Sequence, residues 1–378
     1  MWSRLGLSAV EFPPSQIAVD EMFRSETEFV RWLERRSPQA GGRLHLGIGD
    51  DAALVGVARG NDLILTTDLS IEGVHFLRAV HPPRSVGHRA LARSLSDIAA
   101  MGGTPRFALV SLAISKRTTR GWLEEFYAGF RALAKRFGVA VIGGDTAVVP
   151  ERAAVDVVLV GEVRRGRALL RSGARPGDQI FVSGRLGLSA LGLLFLKAHR
   201  AELRRSAPPV EAVEAHLYPV PQCALGSYLS AKRLASALID ISDGLSTDLG
   251  HLVEASGVGA RVWESLIPVP EVSASPLARG INPLELALHG GEDYQLLFSV
   301  PPRKASLIPR EFRGLPLHRI GEITRRKALR SMRSDGRQER LRPAGYDHFR
   351  DWAAGVCCSA WGRGGGLAGT LSRRRSRL

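Results

Sequence analysis

Residues 82–114 read PPRSVGHRALARSLSDIAAMGGTPRFALVSLAI, and the fold turns on them. Two prolines suit the first turn of a helix, where no backbone N–H is needed. Leu91, Leu95 and Ile98 recur at helical spacing through residues 88–101, until Gly102 and Gly103 stop the helix. FALVSLAI (107–114) follows at once as an apolar strand. A helix that feeds directly into a buried strand marks a chain that layers helices on sheets.

The same alternation extends in both directions. DLILTT (62–67) predicts a strand ending at Asp68, and residues 24–36 and 119–137 predict helices. VAVIGG (139–144) predicts a short buried strand running into a tight turn, and VDVVLVGEV (155–163) another strand. After a charged stretch at 164–171 the pattern restarts with ARPGDQIFVSG, a turn and a strand. Helices at 186–199, 221–233 and 243–256 and strands at 234–240, 293–300 and 317–323 follow. The reading is an α/β (α+β) protein in two halves. It divides into an irregular extension at 1–20, an N-terminal domain at 21–163, a C-terminal domain at 164–349 and a basic tail at 350–378. The tail carries no acid after residue 352 and no periodicity, so disorder is expected there.

The chain has 378 residues, 44% of them hydrophobic, enough for two cores. Its net charge of +15 would permit polyanion binding, but the arginines that carry it are scattered. Only Arg373 to Arg375 and Arg377 form a run, so nucleic acid is expected at most as a weak RNA ligand of the tail. Cys223, Cys357 and Cys358 make neither a disulfide framework nor a metal-ligand spacing, which fits a reducing compartment. No apolar run reaches the length of a membrane span, and the first residues make a poor signal peptide. A soluble, cytoplasmic protein is expected.

Against this basic background, acids recur beside glycines at element ends. They are GIGDD (Asp50, Asp51), TTD (Asp68), LSD (Asp97), GGD (Asp145), DISD (Asp240, Asp243) and HGGED (Glu292, Asp293). Each alone reads as a polar turn, a helix cap or, for Asp97, a salt bridge to Arg93 one turn earlier. Together they would repel one another unless cations gather them. Their oxygens, with those of Thr66 and Thr67, suit Mg2+, and several hard ions point to phosphate chemistry. Asp97 sits near the C-terminal end of its helix, where it opposes the helix dipole at a cost of about 0.3–1 kcal/mol. A cation would offset that cost. Other phosphate signatures are missing. There is no Walker lysine loop, no protein-kinase catalytic loop and no H-E-x-x-H. GIGDDA (47–52) fails as a dinucleotide fingerprint, because its two carboxylates would meet the pyrophosphate.

Eight stretches occur in order: GIGDDAALV, TTDLSIEGVHF, ALARSLSDIAAMGGTPR, IGGDT, RSGARPGDQIFVSG, IDISDGLSTDLGHL, GGEDYQLLF and GYDHF. From Phe23 to Phe349 the chain closely resembles the bacterial thiamine-monophosphate kinase family. That family moves the γ-phosphate of ATP onto thiamine monophosphate. The resemblance implies the fold of aminoimidazole ribonucleotide synthetase, with two α/β domains. It also implies a homodimer in which the N-terminal domains share a β-barrel. It implies several Mg2+ ions held by Asp51, Thr66, Thr67, Asp68, Asp97, Asp145, Asp240 and Asp243. Tyr127, Gly144, Asp145, Arg171 and Ser242 fall at ATP-contacting motifs, and His75, Glu292 and Tyr346 at thiamine phosphate-contacting ones. Glu292 by charge and Tyr346 by cation–π contact are expected to take the cationic thiazolium. No catalytic base is assigned, because the acceptor phosphate has a second pKa of about 6 and is already anionic.

Two departures from the family pattern stand near the ATP and metal region. Ala147-Val148-Val149-Pro150-Glu151 follows GGDT, and Arg93-Ser94 replaces the usual Val-Asn before LSD. The nearest alternative is another ATP-using enzyme of the same superfamily. A selenophosphate synthetase would want an early reactive cysteine, and none precedes Cys223. A carbamoyl dehydratase would end in cysteine, and this chain ends SRRRSRL. Aminoimidazole ribonucleotide synthetase explains GGEDYQLLF less well. A basic nucleic-acid-binding protein is the remaining alternative. It would not spend its glycines presenting acids.

Overall fold

The computed structural model describes residues 29, 32–37, 42–46, 54–198, 209–272 and 280–346. The expectations for residues 1–20, for the tail and for Asp50 and Asp51 lie outside the described residues. At the centre is helix α1 (Pro83–Ala100), with Pro82 and Pro83 at its start as the sequence predicts. Twelve of its eighteen residues are buried, so it is enclosed on most sides. Helix α2 (Arg120–Phe137) packs against it. A Cβ on Gly87 would fall 2.0 Å from the Phe126 carbonyl oxygen, and one on Gly129 1.9 Å from that of Arg84. The two helices therefore touch backbone to backbone, which only glycine permits.

Both helices cover one face of a four-stranded sheet. Beside a short antiparallel pair, β1 (Leu44–Leu46) and β2 (Leu54–Val55), this sheet contains β3 (Asn61–Ile71), β4 (Thr104–Ser115), β5 (Ala140–Val149) and β6 (Ala154–Arg164). Its order is β3-β6-β4-β5, antiparallel except for the β4–β5 pair, which α2 connects as a crossover. One sequence expectation is corrected here. The strand read as ending in a tight turn at Gly143-Gly144 runs on to Val149. Gly144 passes so close to β4 that a Cβ would lie 1.9 Å from the Val110 carbonyl oxygen. Ala147, Val148 and Val149, the two valines being good strand formers, then pair with Ala113 to Ser115.

The second half builds a larger sheet from β7 (Gln179–Ser183), β8 (Ala237–Ile241), β9 (Gly259–Trp263), β10 (Gln295–Val300), β11 (Glu311–Phe312), β12 (Leu315–Thr324), β13 (Leu329–Met332) and β14 (Gln338–Arg340). The order is β14-β13-β9-β12-β7-β10-β8, with β11 paired to β12. Its helices include α3 (Leu188–Lys197), α4 (Val210–Leu217), α5 (Cys223–Ala231), α6 (Leu245–Ser256) and α7 (Pro283–His289). The sequence reading missed α4, α7, β9, β13 and β14, which are short and weakly patterned. Among the described residues neither large sheet closes on itself, and no helix is long and apolar enough to cross a membrane.

Helix α1 also joins the two halves. Ser96 Oγ donates to Asp240 on β8 at 2.7 Å, and the Cys223 thiol donates to the Leu95 carbonyl at 3.3 Å. This junction positions the site.

Candidate active site

A cavity of about 210 Å3 opens where α1 meets β8, β10 and α3. At one end stand Asp68, from β3, Asp97, from α1, and Asp240, from β8, with Asp243 beside them. The Thr66 hydroxyl donates to Asp97, while Ser96 serves Asp240. The sequence allowed a salt bridge between Arg93 and Asp97. The structure instead turns Arg93 to Asp68, with Nε and NH2 both 3.4 Å from the same oxygen. Burial chiefly raises the carboxyls of Asp68, Asp97 and Asp240, and each also feels the charge of another member: Asp97 bears on Asp68, Asp240 on Asp97, and Asp68 on Asp240. Each is pushed up to about 6. Such mutual repulsion is what a hard divalent cation relieves. Among the described residues, no three His, Cys, Asp or Glu side chains converge closely enough to hold an ion directly. The donor set therefore fits a hydrated Mg2+ reached partly through water, which is how that ion is commonly held.

The rest of the cavity wall is rich in imidazole and phenol rings. His75, His81, Arg93, His216, Glu292, Tyr294 and Tyr346 line it. Arg89, buried on α1, donates to Glu292 at 2.6 Å and to the backbone carbonyl of His216. Burial alone would raise the Glu292 carboxyl, but Arg89 first, then His216 and Arg93, outweigh it and hold it at about 2. Glu292 and Tyr294 have φ of 56° and 50°, costly for residues with side chains. Between them Asp293 accepts from the backbone N–H groups of Gly187 at 2.6 Å and Ser189 at 3.2 Å, so it caps α3 and fixes the loop. Gly291 allows this: a Cβ there would stand 2.7 Å from the Ser242 carbonyl oxygen.

Behind Arg89 runs a chain of neutral histidines. His81 Nε2 and His216 Nε2 are 2.9 Å apart, and Ser189 Oγ lies 2.9 Å from His216 Nδ1. The Leu77 N–H reaches His81 Nδ1 at 3.0 Å. His81 Nδ1 also lies 3.1 Å from the Leu77 carbonyl oxygen, so the ring tautomers set which member of each histidine contact donates. Burial foremost, then Arg89, depresses both imidazoles.

The residues singled out in the sequence fall into three groups. Asp68, His75, Asp97, Asp240, Ser242, Asp243, Glu292 and Tyr346 all line the one cavity. Arg171 is exposed, yet its charge bears on both Asp97 and Asp240, and Thr66 reaches Asp97 by hydrogen bond. Thr67 and Asp145 lie on the outer face of the first sheet. Thr67 donates to Asp156 at 2.7 Å, and Asp145 accepts from the N–H of Thr146 at 2.8 Å. Gly144 serves strand packing. Tyr127 is buried among Phe29, Trp32, Phe126 and Phe130, apart from the cavity. The N-cap of helix α6 is Gly244, which has no side chain to cap with. Asp248 instead accepts the N–H groups of Asp243 at 3.1 Å and Gly244 at 3.0 Å. The sequence reading missed Arg89, His81, His216 and Tyr294. The available signal was the spacing of Arg89, Arg93 and Asp97, three charges at four-residue steps along one side of the helix.

Residues 49–163 match the family model of the AIR synthase related protein N-terminal domain, and residues 175–333 that of the C-terminal domain. The chain is 37% identical over 310 residues to the thiamine-monophosphate kinase of Bacillus subtilis, covering 81% of this chain and 94% of that protein. It is 38% identical over 311 residues to that of Escherichia coli K12, covering 81% and 92%. A crystal structure of thiamine-monophosphate kinase from Stenotrophomonas maltophilia superposes with a TM-score of 0.67 at 34% identity, over 82% of this chain and 95% of that one. AaThiL complexed with AMPPCP and TMP superposes at 0.66 and 32% identity, over 86% and 97%. The hydrogenase maturation protein HypE shares the fold at 22% identity, with a TM-score of 0.61 in its ATP complex, over 77% of this chain and 87% of that one. Matches this long, through both halves that build the cavity, leave one conclusion: the chain belongs to the thiamine-monophosphate kinase family.

Proposed function

We propose that this chain transfers the γ-phosphate of ATP in line onto the phosphate of thiamine monophosphate, giving thiamine diphosphate and ADP. One observation carries the reading. A single cavity joins an aspartate cluster, suited to phosphates and their cations, to His75, Glu292 and Tyr346. The complex of AaThiL with AMPPCP, an ATP analogue, and TMP supports both substrates.

The barrier to this reaction is mutual repulsion of two phosphates rather than a proton. The acceptor loses its second proton at a pH of about 6, so no side chain need remove one. Mg2+ held by Asp68, Asp97, Asp240 and Asp243, with Thr66 positioning Asp97, would supply the neutralising charge when bound. Arg171 adds a guanidinium facing the same acids, suited to the triphosphate. At the far end, Glu292 Oε1 is committed to Arg89, while Oε2 stands 3.8 Å from His216 Nδ1 and faces the cavity wall. That second oxygen and the ring of Tyr346 take the thiazolium. His75 is oriented by the Ile71 N–H, 3.0 Å from Nδ1.

The chain also works as a homodimer in this reading. On the outer face of the first sheet Leu63, Leu65 and Leu69 are 47%, 67% and 49% exposed. A second copy laid on that face would bury them and join two open sheets into one barrel. The decisive assay mixes purified chain, ATP, Mg2+ and thiamine monophosphate and measures thiamine diphosphate. No product, beside good turnover of a different phosphate acceptor, would overturn the substrate assignment.

A further inference from the structure

A second cavity, about 260 Å3, opens where α1 ends and the first sheet meets α5. Asn61, Arg106, Glu162, Arg164, Arg167 and Ser227 are among its walls. Its only carboxylate among the described residues, Glu162, is already spent. Arg43 holds both its oxygens and Asn61 Nδ2 donates to it at 3.0 Å. Arg106 Nε approaches Glu162 only to 3.8 Å and makes no hydrogen bond, although it is buried. Arg167 NH1 is buried without a hydrogen-bond partner as well. Neither Arg164 nor Arg167 has a carboxylate within salt-bridge range among the described residues. A guanidinium nitrogen taken from water and left without an acceptor is unfavourable. Two at one cavity call for the same remedy, an anion placed between them. The Ser230 hydroxyl donates to the Arg167 backbone carbonyl at 2.7 Å and holds that segment against α5.

The cavity also states the kind of anion. Three guanidinium groups meet one carboxylate that Arg43 has neutralised, so a single negative charge would leave the wall cationic. Arginine forks match phosphate oxygens in geometry as well as charge. The lining is otherwise short and polar, with no aromatic ring to stack a base. We infer that this cavity is an anion site, separate from the substrate cavity, for a compact multiply charged phosphate: a free diphosphate or the diphosphate of a nucleotide.

Isothermal titration of the full chain with pyrophosphate, without divalent ions or ATP, tests this. One saturable site per chain is expected, and saturating thiamine monophosphate should leave it unchanged. Arg167→Gln and, separately, the more exposed Arg164→Gln should each weaken it roughly ten-fold or more, the loss of a charge-assisted hydrogen bond. Kinase turnover and the thermal unfolding midpoint should stay as in the parent chain. Absence of a saturable site would overturn the proposal. So would affinity unchanged in both variants, displacement by thiamine monophosphate, or inorganic phosphate binding as tightly as pyrophosphate. ADP separates the two sources: a second ADP site that Arg167→Gln removes identifies a nucleotide, and its absence beside pyrophosphate binding identifies a free diphosphate. The titration does not depend on thiamine monophosphate being the substrate, so either reading can fail alone.

Discussion

Asp240→Asn separates what the aspartate cluster costs the fold from what it contributes to the reaction. Asp240 is 4% exposed and receives the Ser96 hydroxyl at 2.7 Å. Burial raises its carboxyl, the Ser96 hydrogen bond opposes this, the charge of Asp68 adds to it, and the result is about 6 against an ordinary 3.8. The sign follows directly. Above pH 6 the group is ionised in both states, and the fold alone bears the penalty. Below about pH 3.8 it is protonated in both states and the penalty is gone. At about 1.4 kcal/mol per pH unit the ionised form is disfavoured by roughly 3 kcal/mol. The carboxylates share that repulsion, so one neutralisation recovers part of it. Asparagine keeps the shape and an oxygen for Ser96. At pH 8 with chelator, denaturant unfolding should show Asp240→Asn more stable than the parent by about 1–3 kcal/mol. Its turnover should fall roughly a hundred-fold or more. Added Mg2+ should stabilise the parent more than the variant, because a ligand of the folded state has been lost. A variant less stable than the parent at pH 8 without divalent ions would refute the argument, as would near-normal turnover.

Arg93→Val removes the fixed cation that competes for Asp68, so Mn2+ binding measured by electron paramagnetic resonance without nucleotide should tighten by about ten-fold. Unchanged affinity would show that Arg93 does not guard that carboxylate. His81 is held at about 4, below the ordinary 6.5, mainly by burial and then by Arg89. Its neutral form supports the fold fully above about pH 6.5, and that support is lost as pH falls toward 4, by up to roughly 3 kcal/mol. His81→Gln should therefore flatten stability against pH between 6.5 and 4 in denaturant titrations. A slope equal to the parent's would assign the acid response elsewhere. Leu65→Glu, placing a charge on the open apolar face, should give a monomer by light scattering, whereas an unchanged dimer would move the interface off this sheet.

How far the sequence carried varied with the length and pattern of each element. α1 and β4 were legible because proline, glycine and apolar spacing agree over 82–114, and α2 because Thr119 and Gly138 bracket an apolar stripe. The aspartates of the cavity were legible because each stands at the end of a patterned element. β5 was misread because Gly143-Gly144 is the usual sign of a turn, and only the approach of Val110 from another strand explains glycine within a strand. Glu292 as a cation receptor was half legible. Its place in the cavity followed from the motif, but Arg89, two hundred residues earlier, claims one of its oxygens. Asp248 replaced the expected cap for a similar reason: the choice between Ser242, Asp243 and Asp248 depends on where the chain turns, not on which residues can cap.

Arg89, Arg93 and Asp97 follow one another along α1 at steps of about 6 Å, so one wall passes from positive to negative over about 12 Å. Glu292 answers Arg89 and Asp68 answers Arg93, which leaves Asp97 and Asp240, among the described residues, without a basic side chain in hydrogen-bonding reach. An anion entering the cavity would therefore meet repulsion at that end. Any cation that neutralises Asp68 does two things at once. It would quench the repelling end, and it would free Arg93 from its 3.4 Å contact with Asp68. A bound divalent ion would thus lessen the repulsion that this end presents to a phosphate. A valine at position 93 would have no charge to release, so the metal requirement should be steeper in this chain than in its Arg93→Val variant.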